Sequence, residues 1–338
     1  MFNRRDFLLT SIAFPKAPSR KQLLADWIEI LGKVEPNAVD RRHFHRKMQA
    51  RLMEASDAPG YTRQHLELPL EVDFYQPSLL LTPKNIAKGE RRPAVIAWTS
   101  TSPDWRQPEK NWGAWLASKG FIVLTGWAHI RNYRDGASYK NGVSEKVYER
   151  FGRWSGLGRM VWDVRQQAQW LAQQQNIDSK RIGFIGSSLS AKTALYAAAF
   201  APEVAAAVSI DPYVPLYGTT NYHAPWYMDW DRKFDEIRTP EHTVRSLLAG
   251  RTGRRHDHDE ILALAAPKPL LIIGGNGGAD SDKAATTQPL VDQARQSYAK
   301  LGKADNLQLR ITDSGHVASS PLFDSFWQEF FLQHLARR

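Results

Sequence analysis

The chain has 338 residues, 42% of them hydrophobic and 24% charged, with a formal net charge of +10 and no cysteine. That is enough apolar sequence for one large core, and the lack of cysteine excludes disulfides, thiol nucleophiles and zinc–thiolate sites. Basic residues are scattered, clustering only at Arg41-Arg42, Arg91-Arg92 and Arg251 to Arg255, so a solvated surface is expected and a nucleic-acid partner is not.

The chain opens with Asn3-Arg4-Arg5-Asp6-Phe7-Leu8-Leu9, which resembles a bacterial twin-arginine export signal. The apolar run stops at Phe14-Pro15 and no small-x-small cleavage site follows, so residues 1–20 read either as a degenerate leader or as a basic N-terminal extension. The first reading implies a periplasmic or secreted protein, the second a cytoplasmic one. No later segment is long and apolar enough to span a membrane.

Lys21–Leu31 and His43–Ala55 are expected as helices, and Tyr61–Phe74 and Pro77–Thr82 as opening antiparallel strands. Ala94–Trp98, Phe121–Thr125, Arg181–Ile185, Ala205–Ile210, Leu270–Ile273 and Leu307–Ile311 then read as buried strands alternating with helices. One of those helices is Leu157–Gln175, with an apolar stripe of Val161, Val164, Ala168 and Leu171, and another is Pro321–Leu335 at the C-terminus. The pattern predicts an α/β fold: a mainly parallel central sheet with helices on both faces, one domain over residues 21–338. An aromatic-rich insertion at about 212–265 precedes the penultimate strand.

Ser188 lies between the strand Arg181–Ile185 and a helix starting at Leu189, with small residues Gly186 and Ser190 two positions to either side. A serine at so sharp a strand-to-helix turn is a nucleophile elbow, G-x-S-x-S here in place of G-x-S-x-G. The competing reading is a polar turn in which Ser188 only caps the helix. A serine nucleophile needs a base and an orienting acid. His316, in Asp313-Ser-Gly-His after the last strand, is the expected base. Asp280, in the glycine-rich loop after Leu270–Ile273, is the first expectation for the acid, with Asp282 and Asp211 as alternatives. The N–H of Leu189 supplies one oxyanion donor, and Ser100 or Thr101 the other. Trp98, Trp105, Trp226 and Trp230 are candidate substrate-binding surfaces. The His256-x-His258 pair reads as part of a helix cap made by Asp257 and Glu260, so no metal site is expected, and the glycines from Gly274 lack the Walker spacing of a nucleotide loop.

From Pro93 onward these features resemble the α/β-hydrolase superfamily, and within it the dienelactone-hydrolase-like and acetyl xylan esterase-like branch. The specific stretches are Arg159-Met-Val-Trp-Asp-Val-Arg165, Asp178 to Tyr196, Leu262-Ala-Leu-Ala-Ala-Pro-Lys-Pro-Leu-Leu271 and Gly315-His316. Ala-Pro-Lys-Pro-Leu-Leu is also similar to bacterial glucuronoyl esterases. The resemblance implies a serine esterase with Ser188 as nucleophile, His316 as base and Asp280 at the usual acid position, though in such relatives the acid follows either of two strands. It implies no cofactor, and a small-molecule or carbohydrate ester as substrate. Ser190, a missing His-Gly pair in the oxyanion loop and a longer acid loop depart from the pattern. These departures keep a non-catalytic binding protein open as an alternative, beside a serine peptidase of the same fold. Oligomeric state is not legible.

Overall fold

The computed structural model describes residues 18–32, 48–71, 74–100, 104–128, 143–152, 154–216, 252–277 and 282–336. Within them, nine strands form one sheet: β1 (Arg51–Ala58), β2 (Tyr61–Glu71), β3 (Phe74–Pro83), β4 (Arg92–Thr99), β5 (Ile122–Trp127), β6 (Ile177–Ser187), β7 (Ala206–Ile210), β8 (Leu270–Gly275) and β9 (Leu307–Thr312). Their spatial order is β1-β2-β3-β5-β4-β6-β7-β8-β9. The β1–β2, β2–β3 and β3–β5 pairs are antiparallel, and every pair from β5 to β9 is parallel.

Parallel strands are covered on both faces, which requires continuous apolar runs in place of alternation. In β4, Ala94, Ile96 and Trp98 enter one core while Val95 and Ala97 enter the other. The first core packs against helices α1 (Arg20–Leu31), α3 (Val143–Phe151), α4 (Gly156–Ala172), α5 (Leu189–Phe200), α6 (His258–Ala265) and α7 (Ala284–Ala299). The second packs against α2 (Ala114–Ser118) and α8 (Asp324–Phe331), with Trp112, Phe121, Trp327, Phe330 and Phe331 buried between them. No helix among the described residues is long and apolar enough to cross a membrane.

The strand and helix expectations recur within a few residues, with one exception. His43–Ala55 is not a helix where it is described: Arg51–Ala55 belongs to β1, paired with Glu67–Gln64 of β2. The Pro59-Gly60 turn, with Gly60 at φ +84°, folds β1 back on β2. Because β1 is an exposed strand, its side chains carry no apolar alternation that would have announced it. Residues 1–17, with the leader motif, lie outside the described residues, as does 217–251 of the insertion. The flanks of that insertion are packed, Val214, Leu216 and His258 being buried.

Buried charge ties the helices together. Arg159 and Asp163 on α4 form an ion pair at 3.0 Å with no solvent exposure. Arg254 bridges Asp26 of α1 at 2.6 Å and Glu260 of α6 at 2.7 Å, and Glu260 also accepts from Trp27 Nε1 and pairs with His256. Asp257 does cap α6. Glu260 does not complete the expected capping box, because its carboxylate is engaged by Arg254, His256 and Trp27.

Two measurements follow from these charges. Removing one member of a buried pair strands the other, so Asp163→Ala should cost about 3–5 kcal/mol in denaturant unfolding, against under 1 for an exposed pair such as Arg295–Asp292. Burial, with Glu260 and Asp257 adding to it, pushes the Asp259 carboxyl up to about 7. A raised carboxyl favours the folded state at low pH, and that contribution is lost as pH rises through the folded value. Asp259→Asn should therefore raise Tm above about pH 8 and leave it unchanged below about pH 4.

Candidate active site

The parallel strands deliver their carboxyl ends to one edge of the sheet. The strand order reverses at β4 and β6, the place where open α/β sheets form their sites. At the end of β6 the chain turns into α5 through a single residue, Ser188, at φ 54° and ψ −113°. An L-residue adopts this conformation only under constraint. Gly186 lets the turn close, since a Cβ there would lie 2.6 Å from the Ser190 carbonyl carbon. Ser190 itself fits: its hydroxyl donates to the Thr99 carbonyl at the end of β4 and so ties the elbow helix to the neighbouring strand.

Ser188 is not acting as a helix cap. Ser19 and Ser155 accept backbone N–H bonds through their hydroxyls at the starts of α1 and α4, whereas the Ser188 side chain makes no capping bond. Its backbone N–H donates instead to Ile210 at the end of β7, at 2.9 Å. The Ser188 hydroxyl, half-buried, makes no capping bond to α5 and no other bond among the described residues.

Beside it, Asp211 directly follows β7, 3% exposed and also left-handed, at φ 60°. Its Oδ2 lies 2.7 Å from Nδ1 of His316, whose side chain is 37% exposed. Nδ1 paired with a carboxylate leaves Nε2, on the opposite side of the ring, to take a proton. His316 is placed by a backbone contact between two loops. Asn276 N–H donates to Thr312 and Gly277 N–H to Ser314, and a Cβ on Gly277 would sit 2.8 Å from the Asp313 carbonyl oxygen. The glycines after β8 thus allow this close approach.

Of the three acid candidates, Asp211 is the one paired with His316, and Asp280 lies outside the described residues. Asp282 is buried and does not bond His316; its carboxylate accepts the backbone N–H groups of Tyr213 and Val214. Burial raises the Asp282 carboxyl to about 6, and burial lowers the Lys192 ammonium, on α5 near Asp282 and Asp211, to about 8. The Asp211–His316 contact spans 105 residues, and no local motif announces it.

Leu189 opens α5, so its N–H has no partner within the helix, and Ser100 directly follows β4 beside the Ser190–Thr99 tether. Thr101, Trp226 and Trp230 lie outside the described residues. Trp98 is not a binding surface: it is fully buried, its Nε1 donating to Gln167 at 2.9 Å. A Trp at the end of a buried strand reads identically whether it faces the core or the cleft. Trp105 is 8% exposed, with His65 stacked on it and the Arg106 guanidinium 3.9 Å from its ring centre. It lines a concavity of about 270 Å³ with Glu54, Arg63, His65 and Glu109, over the β1–β3 end of the sheet and away from the elbow. The His256-x-His258 pair is dispersed: His256 pairs with Glu260, while His258 bonds the Val214 carbonyl and the Tyr196 hydroxyl. Burial holds His258 neutral, at about 3. No cluster among the described residues could hold a metal ion.

Comparison with solved structures places this arrangement in a known fold. A CE15 glucuronoyl esterase from Teredinibacter turnerae superposes with a TM-score of 0.68 at 16% identity, covering 96% of this chain and 88% of that one. A glucuronoyl esterase from Solibacter usitatus gives 0.66 at 15% identity, with 92% and 90% covered. A candidate acetyl xylan esterase from Bacteroides fragilis gives 0.58 at 18%, with 93% and 81% covered. The shared architecture is the α/β-hydrolase fold. No curated protein sequence matches the chain. Residues 165–335, just over half of the chain and the part that carries Ser188, Asp211 and His316, match the BAAT / acyl-CoA thioester hydrolase C-terminal family, and the chain belongs to that family.

Proposed function

We propose that the protein is a serine hydrolase that cleaves carboxylic esters through an acyl-enzyme, with Ser188 as nucleophile, His316 as general base and Asp211 as the acid. The observation that carries this reading is the Asp211–His316 pair at 2.7 Å beside a serine held in the left-handed elbow conformation with no capping bond from its hydroxyl. His316 Nε2 takes the Ser188 proton as Oγ attacks the carbonyl carbon, and Asp211 stabilises the imidazolium through Nδ1. The Leu189 N–H and a donor from the Ser100 loop receive the negative charge of the tetrahedral intermediate. The imidazolium then protonates the leaving alcohol. In the second half, His316 deprotonates a water that attacks the acyl-Ser188 carbonyl, and Ser188 leaves with its proton restored.

The relatives favour a carbohydrate ester or similar small ester as the substrate class, since the structural neighbours named above are glucuronoyl and acetyl xylan esterases. The family description favours a second reading, thioester hydrolysis, which the same nucleophile and base would perform. A tethered Ser190 whose hydroxyl reinforces the elbow argues against a disabled, purely binding site.

Three rate measurements separate these readings. On p-nitrophenyl acetate, Ser188→Ala and His316→Ala should each lower kcat by about 10⁶-fold and Asp211→Asn by about 10⁴-fold, with KM little changed. Full activity in Asp211→Asn would move the acid elsewhere. Ser190→Gly restores the usual motif but removes the tether to Thr99, so it should cost about 1 kcal/mol of stability and change kcat by less than tenfold. Specificity is read by comparing kcat/KM for an acetylated xylo-oligosaccharide, a methyl glucuronate ester and acetyl-CoA. The oxygen esters should exceed acetyl-CoA by at least tenfold, and the reverse order would establish the thioesterase reading.

A further inference from the structure

Asp282 stands one loop away from the acid, and its bonding is unusually complete. The left-handed residues among those described, glycines aside, are Ser188, Asp211 and Tyr213, and two of the three lie in the short exit from β7. Each such residue is strained and persists only where its surroundings hold it. The Asp282 carboxylate does that holding. Oδ2 accepts the Tyr213 N–H at 2.6 Å, and Oδ1 accepts the Val214 N–H at 2.5 Å and the Thr287 hydroxyl at 3.0 Å. The backbone N–H of Asp282 donates to Oδ1 of Asp211 at 2.7 Å, the oxygen that His316 does not use. Gly274 at the end of β8 admits this approach, since a Cβ there would lie 2.7 Å from the Asp282 Cβ.

We propose that Asp282 is a positioning residue: by clamping Tyr213 and Val214 with its carboxylate and Asp211 with its N–H, it aims Asp211 Oδ2 at His316. The proposal rests on the reading of Ser188, Asp211 and His316 as the reacting groups. Two converging N–H donors and a hydroxyl need an acceptor with two oxygens and no hydrogen, which Asp satisfies and Asn does not. His316 Nδ1 is taken by Asp211 and Asp282 makes no bond to it, so Asp282 is not a second acid for His316. The buried charges facing it are Asp211 and the Lys192 ammonium of α5, with neutral His258 of α6 next to Lys192. Lys192 lies near both carboxylates and offsets part of their mutual repulsion.

Proton NMR of the full-length protein reads the pair directly, through the downfield resonance of the His316 Nδ1 proton. It should be present in the wild type and absent in Asp211→Asn and His316→Ala. Asp282→Asn should lose or strongly broaden it and lower kcat on p-nitrophenyl acetate by about 10²-fold at unchanged KM. Thr287→Val removes one donor to the same carboxylate at nearly constant volume and should give an intermediate loss, which keeps the test open if Asp282→Asn does not fold. Asp282→Asn that unfolds at a lower temperature yet keeps the resonance and wild-type kcat would make Asp282 merely structural and overturn the proposal. The resonance does not depend on turnover. A wild type inactive on every ester, with a resonance lost in Asp282→Asn, would therefore refute the esterase reading and uphold the positioning role.

Discussion

The site depends on one backbone constraint: β6 must become α5 within a single residue, Ser188, held left-handed at φ 54°. Three contacts make that turn possible. Gly186 leaves room for the Ser190 backbone, the Ser190 hydroxyl grips the end of β4, and the Ser188 N–H is secured by Ile210 of β7. The last of these also brings in Asp211. The bond to Ile210 fixes the elbow against the residue immediately before Asp211, so Ser188 and Asp211 are set by adjacent, parallel strands in register at Ser187 and Ile210. His316 is then brought in from β9 by the glycines after β8.

Burial decides the electrostatics around this frame. Asp211 and Asp282 are nearly inaccessible carboxylates joined through a backbone N–H, and the buried Lys192 stands close to both. Desolvation raises the Asp282 carboxyl and lowers the Lys192 ammonium. His316, by contrast, keeps more than a third of its side chain exposed, as its proposed role of meeting substrate and water requires.

Much of this was legible in the sequence where the signal is local. Ser188 announces itself because an apolar strand, small flanking residues and a helix-forming run are contiguous, and His316 because it follows the last strand. The parallel strands were legible because burial on both faces demands unbroken apolar runs. Three features were not legible, for different physical reasons. The pairing of His316 with Asp211 is a contact across 105 residues, and three aspartates follow the strands beside the elbow at plausible places. β1 hides because an exposed strand needs no apolar pattern, and Glu54 and Ala55 suit a helix equally well. Trp98 sits where a strand meets the cleft edge, and only the partner chosen by its indole N–H, Gln167, assigns it to the core.

The most direct test of the central claim is covalent: incubate the protein with a fluorophosphonate and locate the adduct by peptide mass spectrometry. A single phosphonylated residue, Ser188, is expected, with labelling slowed at least a thousandfold in His316→Ala and in Asp211→Asn, on the scale of losing one member of such a triad. A well-folded protein that is not labelled, or one labelled elsewhere than at Ser188, would contradict that claim.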